Sequence, residues 1–165
     1  MFEPVEQLCE SMAAPETPAP KSLLDVLSRV PAEVLETMFF AEAVAAECGH
    51  AWLSLAVGVR IRFEGSHRGD MRLSVSRDAA DSIACAFLGL EPLELTEQLC
   101  AQVILELANI LCGTILSHVW PESKVALGAP EISTEEPLFN GALHRCFELP
   151  EGKLAVWIHC SEASA

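Results

Sequence analysis

Between Thr96 and Trp120 the chain carries a long apolar stretch in which nearly every interior polar residue falls on one narrow line. At about 100° per residue, Gln98, Gln102, Glu106, Asn109, Gly113 and Ser117 share roughly a quarter to a third of a helix circumference. The other positions are mostly Leu, Ile, Val, Ala and Cys. Such a helix must be buried on most sides, so its few polar groups mark where it meets water or a partner. Exposed helix positions are usually filled with Lys, Glu and Arg. This stripe is low in charge and poor in helix propensity, a composition that suits a docking face. Glu106 is the one charge between Gln98 and Ser117, and Asn109 stands three residues on. A carboxylate and a carboxamide at i and i+3 project side by side from a rigid support. The plain alternative is a stripe that faces only water.

The 165 residues fit one domain, and 51% hydrophobic content provides for a substantial core. A formal net charge of −14 repels nucleic-acid phosphates and anionic lipid, and no basic cluster offsets it. Nucleic-acid and membrane-surface roles are therefore not expected. Residues 1–20, with Pro4, Pro15, Pro18 and Pro20, read as a flexible leader without the basic start and apolar core of a signal peptide. The folded domain is expected over 21–165. No run is expected to be long enough to span a bilayer. Seven cysteines, scattered through apolar patterns, suit a reducing, cytoplasmic setting better than a disulfide framework.

Ser22 and Asp25 suggest a short first helix, with Pro31 ending it or starting a second from Ala32 to about Glu47. Val34, Leu35, Met38, Phe39 and Val44 would form its apolar face, and Cys48-Gly49 its stop. From Trp52 the period changes to strict alternation through Phe63. After a turn over Glu64 to Asp70, Met71, Leu73 and Val75 alternate again, giving an antiparallel hairpin. Asp78 is the expected cap of a helix ended by Gly89, and Thr96 the cap of the long helix closed by Pro121. A Gly/Pro-punctuated connection leads to a second hairpin, Ala142 to Leu149 and Lys153 to Cys160, turning at Pro150-Glu151-Gly152. The order α-β-β-α-α-β-β predicts an α+β domain, an antiparallel sheet with helices packed on a face.

Competing chemistries lack their parts. The histidines at 50, 67, 118, 144 and 159 are dispersed, and no nucleophile elbow or glycine-rich phosphate loop occurs. His159-Cys160 would point to opposite faces of a strand, so no metal site is expected. Cys100 and Cys112 read as small hydrophobes. Between Asp78 and Ser123 there are seven acids and no Lys or Arg, while Arg60, Arg62, Arg68, Arg72 and Arg77 crowd together. A partner presenting a lysine would meet an acidic face.

Glu106-Leu-Ala-Asn109-Ile-Leu-Cys-Gly113 resembles the Glu-x-x-Asn motif, with its trailing glycine, of the CheC/CheX/FliY family of chemotaxis phosphatases, in particular the CheX branch. Glu36-Thr-Met-Phe-Phe, Gly69-Asp-Met-Arg-Leu-Ser-Val, the helix from Asp78 and Gly128-Ala-Pro130 extend the resemblance over roughly residues 30–160. It implies hydrolysis of the aspartyl phosphate of a phosphorylated CheY-like response regulator. Asn109 would hold the attacking water and Glu106 would pair with the regulator's lysine. Gln102, where many family members have Asp or Ser, and Gly113 would line the contact. Mg²⁺ would sit on the regulator, with no cofactor bound by this chain. The CheC branch repeats the motif in its first helix; here Phe39 occupies the Asn position after Glu36, implying one site per chain. CheX-like proteins dimerise through their sheets, so a homodimer is implied, with an edge from the first hairpin or the last two strands. The competing reading is a non-catalytic receiver-binding adaptor of the same fold.

Overall fold

A computed structural model describes residues 20–48, 57–134 and 142–161. The expectations for residues 1–19, Leu53 and Leu55 lie outside these. Three helices, α1 (Pro20–Met38), α2 (Arg77–Leu88) and α3 (Glu97–Val119), pack with one mixed-length antiparallel sheet. Its strands are β1 (Val44–Ala46), β2 (Val57–Gly65), β3 (Arg68–Val75), β4 (Val125–Leu127), β5 (Glu131–Ile132), β6 (Leu143–Leu149) and β7 (Gly152–Ser161). The order across the sheet is β1-β6-β7-β3-β2-β4, with β5 also on β2. The α+β expectation holds.

Alternation sorts the sheet. Val59, Ile61 and Phe63 of β2, Met71, Leu73 and Val75 of β3, and Leu154, Val156 and Ile158 of β7 are all buried in one core with the helices. By the same register, Arg60, Arg62, Asp70, Arg72 and His159 stand on the opposite face. There Asp70 Oδ2 accepts from Arg60 Nε at 3.2 Å and lies 3.5 Å from Arg72 Nε. Most of the arginine-rich segment is thus turned away from the helices.

The N-terminal part corrects the sequence reading. α1 is one helix running through a buried Pro31, not a short helix followed by one to Glu47. Proline removes one helix hydrogen bond, and the apolar surroundings of α1 outweigh that cost. The helix stops at Met38 because Phe40 turns left-handed, φ 56°, and the Leu35 carbonyl accepts from the amides of Phe39 and Ala41. Val44 therefore lies on an edge strand paired with Glu148 and is exposed, as is Met38, while Phe39 is fully buried against Phe87. Ser76, not Asp78, is the N-cap of α2. Its hydroxyl accepts from the Lys153 amide at 2.9 Å and ties the helix start to the last hairpin.

Residues 121–140 contain β4 and β5, which extend the sheet beyond β2; Gly128 N–H donates to the Arg62 carbonyl at 2.7 Å between them. The first hairpin consequently offers no open edge, whereas β1 covers only Cys146 to Glu148 of β6. Contrary to the expectation from run length, the 23-residue α3 is long and apolar enough to cross a bilayer, with mean hydropathy 1.9 in its most apolar 18-residue window; its ten buried residues make it the core helix of this domain. Finally, Cys48 and Cys146 are joined in a disulfide, a pairing that their scatter in sequence concealed.

Candidate functional site

α3 begins where threonine chemistry dictates. The Thr96 hydroxyl accepts from the Leu99 amide at 3.2 Å, and Glu97 in the first turn complements the helix dipole. Ile104, Leu107, Ala108, Leu111 and Ile115 are fully buried, which fixes the rotation of the helix. Its remaining face is the polar stripe. Gln98, Gln102, Glu106 and Ser117 are exposed, and Asn109 and Gly113 are half-buried. Every residue placed on the stripe by sequence thus reaches the surface, on a support held from several sides.

Glu106 and Asn109 are separated by about 4.5 Å along the axis, given a rise of 1.5 Å per residue. Among the described residues, neither they nor Gln102 makes a side-chain hydrogen bond or ion pair. A solvated carboxylate and carboxamide without internal partners are free to bind an external one. Half-buried Leu105 and Ile110, packed against the core, border the pair as an apolar margin.

Gly113 ends the motif one turn beyond Asn109. A Cβ built there would meet only the Leu127 side chain of β4, at 3.6 Å, which is ordinary contact. Packing does not demand glycine here; what glycine provides is an uncovered strip of backbone beside Asn109. One turn further, Ser117 Oγ donates to the Gly113 carbonyl at 2.7 Å, and His118 Nδ1 lies 2.8 Å from the Thr114 carbonyl. At the end of α3, the Trp120 ring stacks on His67 from the β2–β3 turn at 3.8 Å. That contact locks the helix to the hairpin.

The cysteines of α3 are inert. Burial, helped by a hydrogen bond to Asp81 and its charge, pushes the Cys100 thiol up to about 11. Burial pushes Cys112 up to about 12. His159 and Cys160 do point to opposite faces: His159 Nδ1 lies 3.9 Å from Asp70 Oδ1, while Cys160 packs on the core. No group of three His, Cys, Asp or Glu side chains that could hold a metal occurs among the described residues. What the stripe offers is positioning and charge: one anion, one amide that can both donate and accept, and an accessible helix face.

Comparison with known proteins supplies the context. Residues 57–140, which include the whole motif, match the family described as chemotaxis phosphatase CheX. No curated protein matches the sequence. Among solved structures, the fold is similar to a chemotaxis protein CheX from Desulfovibrio desulfuricans, with a TM-score of 0.69 at 12% identity over 84% of this chain and 99% of that one. CheX from Vibrio vulnificus gives 0.68 at 18% identity, covering 86% and 98%. A CheX-CheY-BeF3-Mg²⁺ complex from Borrelia burgdorferi gives 0.66 at 20% identity, covering 89% and 100%.

Proposed function

The chain belongs to the CheX family of chemotaxis phosphatases, and on that footing we propose that it accelerates hydrolysis of the aspartyl phosphate of a CheY-like receiver domain. The observation that carries the proposal is the pair Glu106 and Asn109 on the exposed stripe of α3, without side-chain partners among the described residues. The similarity to a CheX that was solved with CheY, BeF3 and Mg²⁺ supports a receiver as the partner.

Phosphoryl transfer needs alignment and charge placement more than covalent help. The Asn109 carboxamide accepts a hydrogen bond from a water and donates to its lone pair, which fixes that water for in-line attack. Glu106, one turn earlier, takes the lysine of the receiver as an ion pair and sets the register of docking. Gln102 and the open backbone at Gly113 extend the contact along the stripe, and Leu105 and Ile110 seal its margins. Mg²⁺ belongs to the receiver and supplies charge neutralisation when bound there. The acids that dominate residues 78–123 favour a lysine-bearing partner, with most arginines held on the other side of the sheet.

The functional unit in this reading is a homodimer joined at a sheet edge, for which the half-covered β6 is the strand available. The decisive experiment is decay of a phosphorylated receiver in Mg²⁺ with a substoichiometric amount of the chain. Multiple turnovers support the phosphatase reading. Stoichiometric binding without faster decay overturns it in favour of an adaptor.

A further inference from the structure

Cys48 follows the edge strand β1, and Cys146 lies in β6 opposite Ala46. Their Cα atoms are 5.6 Å apart, within the usual disulfide range, and the sulfurs are bonded. Little else holds β1. It spans three residues, its Val44 and Ala45 are exposed, and only Ala46 packs onto the sheet, beside Cys146, Ala155 and Trp157. Pairing this short is marginal unless something fixes it. The cross-link ties the residue just beyond β1 to β6, so it removes much of the freedom that β1 would gain on leaving.

The neighbouring strand differs. β6 is paired along its whole length, Leu143 to Leu149, with β7 on its other side. Loss of β1 would leave β6 in place and open its outer backbone edge, the kind of surface that accepts another strand. Cys48 is exposed and Cys146 buried, so one sulfur is within reach of a reagent and the other waits beside it. Elsewhere, Cys100, Cys112 and Cys160 are pushed up to about 11, about 12 and about 11, chiefly by burial, and stay as unreactive thiols at neutral pH.

We propose that Cys48 and Cys146 form a reversible redox latch that fastens β1 over the edge of β6, closed by a low-molecular-weight disulfide and opened in a reducing environment. Closing is thiol–disulfide exchange. The Cys48 thiolate attacks glutathione disulfide and displaces one glutathione thiolate; the Cys146 sulfur then attacks Cys48 Sγ and displaces the second. Two protein thiols become one disulfide and one glutathione disulfide becomes two glutathiones, the two protons passing from the protein thiols to the departing thiolates. The latch involves neither α3 nor its stripe and so stands apart from receiver binding, while the edge it covers is the β6 edge at which the homodimer is proposed to join.

The test is hydrogen exchange on the full chain, equilibrated with glutathione disulfide or with a phosphine reductant, beside Cys48→Ser. A non-reducing digest of the oxidised native chain should contain a linked Cys48–Cys146 peptide. The β6 amides that face β1 should exchange at least ~10-fold faster after reduction, and equally fast in Cys48→Ser under both conditions. β7 should keep its protection throughout. Absence of the linked peptide after oxidation, or unchanged β6 exchange once it has formed, overturns the latch. Loss of β7 protection on reduction also overturns it, because the bond would then staple the whole domain and not one edge.

Discussion

Gly113→Ala should make the protein more stable and less functional, and both directions follow from one position. Glycine inside a helix costs roughly 0.8–1.0 kcal/mol relative to alanine, because the unfolded chain has more freedom to lose. At Gly113 the added methyl meets only the Leu127 side chain, at 3.6 Å, and displaces nothing. The acceptor role of its carbonyl towards Ser117 Oγ is untouched. The full propensity gain should therefore appear, lowered by at most a few tenths for contact with Leu127. In urea unfolding the midpoint should rise at constant slope, corresponding to a gain of about 0.5–1 kcal/mol, or about 1–4 °C in Tm for a domain of this size. The same methyl stands on the working stripe, one turn from Asn109, where the partner backbone is proposed to approach. Receiver binding should weaken about tenfold or more, as expected for a group that must be displaced or accommodated in a close interface. A destabilised Gly113→Ala would refute the packing argument. A stabilised variant with native binding and turnover would refute the claim that the strip at Gly113 is part of the contact.

Two stability predictions probe the framework behind the site. Phe39→Ala removes a fully buried ring stacked on Phe87 at 4.8 Å, and should cost about 3–5 kcal/mol by denaturant unfolding; a loss below about 1 kcal/mol would mean that the end of α1 is not packed as described. Cys112, raised by burial from 9.0 to about 12, favours the folded state fully below pH 9 and loses that contribution between pH 9 and 12, as only the unfolded chain ionises. Unfolding free energy should fall by about 1.4 kcal/mol per pH unit from this group in that window, and Cys112→Ala should flatten that limb; an unchanged slope in the variant would contradict the burial of this thiol.

The core of the fold is legible where side-chain period and burial agree. The alternation through Val59, Ile61 and Phe63 and through Met71, Leu73 and Val75 can satisfy only a strand with one buried face, and Thr96 and Gly89 mark helix ends by local chemistry. The stripe on α3 is legible for the same reason, since ten buried apolar positions leave one rotation of the helix. What escapes is decided by tertiary pairing. Val44 to Ala46 has the composition of a helix and becomes a strand because β6 offers a partner edge. β4 and β5 are too short to carry a period, and exist because β2 has a free side. The Cys48–Cys146 pair depends on the same register, which no spacing encodes. Leu105 and Ile110 illustrate the opposite limit: their apolar identity gives no sign that they are only half-buried beside the stripe, which the packing of α3 shows.

Asn109 is proposed to position water, apart from any role in holding the partner. The direct measurement is single-turnover decay of a phosphorylated CheY-like receiver in Mg²⁺, with native chain or Asn109→Ala each at concentrations shown to saturate binding. Asn109→Ala should bind the phosphorylated receiver nearly as well as the native chain, yet return its decay to within a few-fold of the uncatalysed rate, a loss of roughly 10² or more. Decay accelerated to the native rate by a saturating Asn109→Ala variant would contradict it.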